Sequence, residues 1–434
     1  MEKYDNIFVG GGISAMIAAG YLAQAGQKTL IVERKGNLGG RIGITKFKNI
    51  FGQDQGPTQW TWLNGGFWFN AARDFGCNIK YTYYPQISVY IKGSKKPPKA
   101  QPVFCTAEAF TEHVMSQMPP NVPADTHDEF LKIFKEMLNC SYEEFCKTET
   151  VLLKDWIEVR TSNPVILNYL VKYVSMQCML EYDRALRLCS AMSCIASIRF
   201  WACGEGFLTI MNPDPETGFA QEFGKAIQRL GCEVLLNTEV EEVIVENDTA
   251  TGVRLANGNI IEGNRVIVNA VFSQVAKLFR KVPADVEKAI AAMNEVQLMD
   301  FYIFYRLRHN PFTEEGVIQI IDEKGDNYGC ISTQSTYMPW SIGEDPECKH
   351  MTVYTAVYPK YVGKTMDEAM AEALELQEDC FPGFKDAYID AKGISHYPLW
   401  HHPYVLERIN IESPSVKGLY FVGDSTTPQV GMGL

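Results

Sequence analysis

The chain has no apolar run approaching the ~20 residues that a membrane-spanning helix needs; its longest, such as Cys189 to Ile198, stops well short. It opens on Met-Glu-Lys-Tyr-Asp and passes directly into a strand pattern, without the basic start and apolar centre of a signal peptide. Positive charge is in deficit: 40 Lys and Arg stand against 52 Asp and Glu, a formal charge of −12. That balance argues against nucleic acid or anionic lipid as the main partner. None of the twelve cysteines forms a C-x-x-C pair, and the seven histidines show no ligand spacing beside them. A structural metal and an essential disulfide are therefore not expected. Many cysteines lie in apolar runs, as in Met176-Gln-Cys-Met-Leu and Ala191-Met-Ser-Cys-Ile, where a free thiol behaves as a small hydrophobe. Reduced thiols and a cytoplasmic location follow as the expectation. What is present is an ordinary globular composition: 434 residues, 46% hydrophobic and 21% charged, enough for two packed cores.

The N-terminus carries the strongest signal. Asp5 to Val9 reads as a short buried strand, and Gly10-Gly-Gly-Ile-Ser-Ala15 follows. A helical pattern through Ala15, Ala18, Ala19 and Leu22 then ends at Gly26. A second strand, Thr29 to Val32, ends in Glu33, which lies 21 positions after Gly12. This is a G-x-G-x-x-A turn opening a helix, with a carboxylate at the ~20-residue distance of a dinucleotide-binding fingerprint. Gly10 permits the tight turn, Gly12 lets the backbone approach a pyrophosphate, and Ala15 permits close packing of helix on strand. The helix start offers free N–H groups and a positive dipole end to the phosphates. Glu33 can accept bonds from ribose hydroxyls, and its charge would repel a 2′-phosphate.

The next stretch, Arg34-Lys-Gly-Asn-Leu-Gly-Gly-Arg41, places a glycine pair and an arginine just past the second strand, and Asp54-Gln-Gly-Pro57 supplies a D-x-G turn. Near the far end, Gly418-Leu-Tyr-Phe-Val-Gly-Asp-Ser425 reads as a buried strand running into a glycine and a carboxylate, followed by Thr426-Thr-Pro-Gln-Val-Gly-Met-Gly433. With these segments the chain resembles the FAD-dependent amine oxidase and phytoene desaturase superfamily, and most of all its carotenoid desaturase, carotenoid isomerase and retinol saturase branch. Amine oxidases usually carry Glu where Asp424 stands. Gln429-Val430 depart from the glycine that relatives tend to have there.

The resemblance implies FAD as the cofactor. By it, Gly10, Gly11, Gly12, Ser14, Ala15, Glu33 and Arg34 form the nucleotide end. Gly40 and Arg41 lie along the FAD, and the main chain at Val240 reaches adenine. Gly423 and Asp424 hold the ribityl end, and the N–H groups at Gly431 and Met432 face the flavin pyrimidine oxygen. In the relatives that last turn opens a long helix, whereas this sequence ends at Leu434. A shortened chain, or partners from another subunit, is the resulting expectation.

Between the ends, Gln221 to Leu230 reads as a helix, Glu233 to Leu236 as a strand and Thr238 to Val268 as a β-meander, a block that the resemblance implies completes the FAD domain. Residues from about Cys105 to Phe200 read as helical. Thr126-His-Asp-Glu129 and Ser141-Tyr-Glu-Glu144 both have the form of capping boxes. Phe301 to Leu307, Gly316 to Ile321, Tyr328 to Ser332 and Met351 to Tyr358 read as strands of a second sheet. The fold class is α/β: a Rossmann-like FAD-binding domain with a parallel sheet and β-meander, interleaved with an α+β substrate domain. The FAD-binding parts are expected at 1–75, 215–275 and 391–434, and the substrate parts at 76–214 and 276–390.

The polar stretch His396-Tyr-Pro-Leu-Trp-His-His-Pro-Tyr404 precedes the closing strand. His401 or His402 could titrate near neutrality, and Trp400 or Tyr404 could stack on a flat substrate; His401, His402 and Tyr404 are the catalytic candidates. The expected activity is hydride movement between flavin N5 and a C–C bond of an apolar small molecule. A peripheral membrane contact for substrate access is compatible with this. Oligomeric state is not legible. Two rivals remain: a flavin amine oxidase, and a non-enzymatic escort of lipidated proteins on the same fold, as in Rab-escort and GDP-dissociation-inhibitor proteins.

Overall fold

Tyr4–Val9 is a strand whose second half is a continuous apolar run: Ile7 and Phe8 are fully buried and Val9 nearly so, and the buried Asn6 before them bonds to Gln27 and Thr29. Such continuous burial marks a central parallel strand covered on both faces. The computed structural model describes residues 3–40, 44–53, 67–78, 82–83, 87–94, 99–100, 106–118, 121–178, 180–202, 209–210, 218–294, 299–358, 363–395, 405, 408–423 and 426.

Five strands run parallel in the first sheet, in the order Glu233–Leu235, Thr29–Val32, Tyr4–Val9, Ile260–Val268 and Leu419–Phe421. Alternate side chains feed two cores. Phe8, Ile31 and Ile267 pack under the helices Ile13–Gln24 and Phe219–Arg229, while Ile7, Val9, Leu30 and Val268 join Val286, Ala289 and Met293 on the other face. The long strand Ile260–Val268 serves two sheets. Its first residues pair antiparallel with Thr249–Leu255, which pairs with Val240–Glu246, so the expected meander is present.

The second sheet is ordered Tyr388–Ile394, Met299–Leu307, His350–Tyr358, Asn327–Ser332, Val317–Ile321, Ile87–Ile91 and Lys99–Ala100. The four strands expected from sequence are there. Ile87–Ile91 joins them in parallel with Val317–Ile321, and Tyr388–Ile394 forms the opposite edge. The expected segment boundary near 391 therefore falls inside a strand. One face of this sheet is covered by Met366–Cys380 and Phe384–Ala387. The other is shared between a helical core around Ala191–Ala202 and the hairpin Ile44–Phe47/Ile50–Gln53, whose Ile50 packs with Tyr302, Phe304 and Val353.

One local reading needs correction. Ser141 is a true capping box with Glu144, but Thr126 is not a cap. Asp125 holds that position, and Thr126 is buried with its hydroxyl accepting from Asn163 Nδ2 at 2.9 Å. Glu129 is taken instead by the Thr161 hydroxyl, 2.6 Å away. A tertiary partner outcompetes the local cap. A capping box that the sequence reading missed lies at Thr365 and Glu368.

Candidate functional site

The parallel strands are in register at one row: Leu235, Val32, Val9, Val268 and Phe421 lie side by side. Leu236, Glu33, Gly10, Asn269 and Val422 therefore leave the sheet together at its carboxyl edge. The strand order turns on Tyr4–Val9, which has the second strand on one side and the late strand Ile260–Val268 on the other. This is a topological switch point, where open α/β sheets bind ligands.

Gly10 takes a left-handed φ of +97°, and a Cβ there would stand 2.3 Å from the Asn269 carbonyl oxygen. The first helical bond runs from Met16 N–H to Gly12 O at 2.9 Å. The N–H groups of Ile13, Ser14 and Ala15 precede it and point out of the helix start. Gly11 and Gly12, both read from sequence as cofactor contacts, spend their N–H groups inside the protein. Gly11 donates to Glu33 Oε2 at 2.7 Å, and Gly12 to Asn269 Oδ1 at 3.0 Å. Ala15 is fully buried under the sheet, as close packing requires, and Ser14 is half-buried.

Glu33 is 7% exposed. Its Oε2 accepts from Gly11 and its Oε1 from Lys35 N–H at 2.8 Å, so each oxygen keeps acceptor capacity. Thr238 N–H donates to the Glu33 carbonyl at 3.0 Å, which brings the start of the Val240–Glu246 strand beside the acid. Val240 itself is 8% exposed, with its side chain in the core. Gly39 N–H donates to Gly11 O at 2.8 Å, and a Cβ on Gly40 would lie 3.2 Å from Gly12 Cα. The second glycine pair is thus packed on the first. Arg34 is exposed beside it.

At the other end Gly423 follows the closing strand with φ +110°, and its carbonyl accepts from Thr426. Asn269 is the residue that sequence reasoning missed. It donates from Nδ2 to Val422 O at 2.9 Å while its Oδ1 holds Gly12. The one available signal was a polar residue ending a buried strand, the position Glu33 also occupies. Arg41, Asp424, Gly431, Met432, His401, His402 and Tyr404 lie outside the described residues, as does Asp54-Gln-Gly-Pro57.

Among the described residues no group of three or more His, Cys, Asp or Glu could hold a metal ion. Burial pushes the Cys178 and Cys330 thiols up to about 12, which keeps them protonated and inert at neutral pH.

This edge has the donors of a nucleotide cradle at the helix start and a carboxylate with spare lone pairs at the second strand. The chain also matches, over residues 13–433, the family model described as flavin containing amine oxidoreductase. The chain belongs to that family. FAD is its cofactor, and the Gly10–Gly12 turn with Glu33 beside it suits the group. A phytoene desaturase (neurosporene-forming) of Cereibacter sphaeroides is 24% identical over 277 residues, 61% of this chain and 52% of that protein. The chain spans about half the length of the curated relatives it matches. An oxidoreductase from Methanosarcina mazei shares the fold with a TM-score of 0.72 at 17% identity, covering 99% of this chain and 98% of the other. A Rab GDI from Plasmodium falciparum shares it at TM-score 0.57 and 13% identity, covering 98% and 94%. Among the described residues no helix is long and apolar enough to cross a membrane.

Proposed function

We propose that this flavoprotein moves a hydride between flavin N5 and a carbon–carbon bond of an apolar substrate, as a desaturase, saturase or redox-neutral isomerase. The observation that carries the reading is the carboxyl edge of the first sheet, where Glu33, Gly423 and the N–H groups of Ile13 to Ala15, which have no partner among the described residues, all lie. Likeness to a phytoene desaturase and the Asp at 424 in place of the amine oxidases' Glu favour a C–C bond over an amine.

Glu33 accepts the adenosine ribose hydroxyls, and the Ile13–Ala15 N–H groups receive the pyrophosphate. Arg34, Gly40 and Arg41 border it, and the main chain of Val240 meets adenine. Asp424 holds the ribityl chain, with the N–H groups of Gly431 and Met432 toward the pyrimidine oxygen. When bound, FAD supplies the hydride acceptor or donor. His401, His402 or Tyr404 manages the accompanying proton.

The substrate lies against the face of the second sheet that carries Thr355. Its hydroxyl is buried and has no partner among the described residues. The Ile44–Phe47/Ile50–Gln53 hairpin reaches that same face from the glycine pair. The chain divides into FAD-binding segments 1–75, 215–275 and 391–434 and substrate segments 76–214 and 276–390, with the strand residues 391–394 shared. We place the protein in the cytoplasm, touching membranes only peripherally to collect substrate.

The test is anaerobic mixing of the FAD-loaded protein, with its flavin either oxidised or reduced beforehand by dithionite, with a C40 polyene in liposomes or with putrescine. Bleaching of the flavin, or a new polyene product by chromatography, is expected with the first alone. Bleaching by the amine moves the protein to the amine oxidase reading. A purified protein that takes up no FAD yet binds a prenylated peptide establishes the escort reading.

A further inference from the structure

We infer that Asn269 is a positioning residue that couples the phosphate loop to the flavin-closing strand, and that it, rather than the cofactor, dictates glycine at position 12. Its side-chain amide spends one oxygen on Gly12 N–H, 257 positions away, and one N–H on Val422 O, 153 positions away. Its own backbone N–H donates to Val9 O at 2.9 Å. One residue is therefore bonded to the ends of the first strand, the helix start and the last strand.

The space around it is equally specific. A Cβ on Gly12 would stand 2.4 Å from Asn269 Oδ1, and its three nearest neighbours would all be atoms of the Asn269 side chain. A Cβ on Gly423 would stand 2.9 Å from Asn269 Nδ2. Gly12 differs from Gly10 and Gly423 in one respect that makes it diagnostic. Its φ of −70° and ψ of 170° are ordinary extended values that any residue adopts. No backbone strain demands glycine there. Space alone does, and within the protein that space belongs to Asn269.

The motif reading assigns the same glycine to close approach of the pyrophosphate. The two causes separate in a double variant. In Asn269→Ala the contact at Gly12 is gone, so among the described residues a methyl at position 12 meets no neighbour closer than ordinary packing. If the pyrophosphate needs the space, the second substitution changes nothing. Asn269 also holds Val422, the residue before Gly423 and Asp424. Its loss therefore slackens the end of the closing strand, on the flavin side of the proposed site.

The inference rests on FAD lying at this edge. The experiment measures FAD dissociation constants by flavin fluorescence for wild type, Gly12→Ala, Asn269→Ala and the double variant, with thermal melts of each apoprotein. It also measures the reduction potential of the bound flavin. Loss of two hydrogen bonds should weaken FAD by about tenfold in Asn269→Ala and lower the potential. Gly12→Ala should weaken FAD by roughly a hundredfold, and the double variant should return to the level of Asn269→Ala, which is the non-additivity of neighbours in contact. A double variant as weak as Gly12→Ala, or weaker, overturns the role of Asn269, as does an unchanged potential in Asn269→Ala. If Gly12→Ala does not fold, recovery of a folded FAD-binding protein by adding Asn269→Ala supports the inference and failure to recover overturns it. Wild type without FAD would instead sink the placement of the cofactor.

Discussion

Each sheet carries a buried polar cluster, and the two clusters are built differently. In the second sheet Arg306, with a side chain 5% exposed, donates from one nitrogen to both oxygens of Asp390 at 2.9 and 2.7 Å and from another to Asp345 at 2.7 Å. Asp345 in turn accepts the N–H groups of Glu347 and Cys348, and Lys48 pairs with Asp390. Burial alone would raise the Asp345 carboxyl, but Arg306 and the two N–H groups hold it below the usual range. Its carboxylates are satisfied by the protein itself. At the carboxyl edge of the first sheet each Glu33 oxygen accepts one N–H among the described residues, and among the same residues the three N–H groups ahead of the first helical bond have no partner. A cluster whose carboxylates are bonded within the protein ties hairpin, loop and sheet together, even though Arg306 Nε has no partner among the described residues, whereas acceptor capacity left over at a strand edge is capacity for a ligand.

The sharpest way to break that contrast is Arg306→Leu. It strands buried Asp345 and should cost about 3–5 kcal/mol of stability by urea denaturation. A loss under about 1 kcal/mol would mean that the Arg306 cluster holds little together.

His350 gives the next effect. Its Nδ1 meets Ser335 Oγ at 2.9 Å, its Nε2 has no partner among the described residues, and burial pushes its pKa down from 6.5 to about 4. The unfolded chain takes up a proton near pH 6.5, which the folded protein refuses until about pH 4. Stability is therefore full above 6.5 and falls as pH drops through that window, by roughly 3 kcal/mol in all. Denaturation midpoints between pH 4 and 7 should show this slope, and His350→Gln should flatten it.

If Glu33 holds the ribose as proposed, Glu33→Ala should weaken FAD by about ten- to a hundredfold through lost charge-assisted bonds. Its apoprotein should melt only slightly earlier. If the apoprotein suffers more than FAD binding does, Glu33 belongs with Asp345 as architecture and the comparison fails. The smallest effects sharpen the local picture. Ser141→Ala and Thr365→Ala should each cost about 1 kcal/mol through a lost cap. Thr126→Ala should act through Asn163 instead, so an Asn163→Ala background should abolish its effect in a double-mutant cycle.

Local chemistry was legible from the amino acids alone. Glycines at 10, 26 and 231 sit at positive φ where the reading ended strands and helices, because no Cβ restricts them there. The first strand–helix–strand unit, Glu33 at the end of its second strand, the meander and four strands of the second sheet all follow from periods of two and 3.6 within a few residues. Only the tertiary structure decided the rest. Ile87–Ile91 carries nothing that names Val317–Ile321 as its parallel neighbour. Thr126 has the form of a cap and becomes a partner of Asn163. Gly12 reads as a phosphate contact, and the atoms nearest to a Cβ there belong to Asn269, 257 positions away. Propensity and turn chemistry act between residues a turn or a pleat apart. Which distant side chain fills a glycine's missing Cβ is determined by strand order and register, and these are set by long-range packing of the two faces of each sheet.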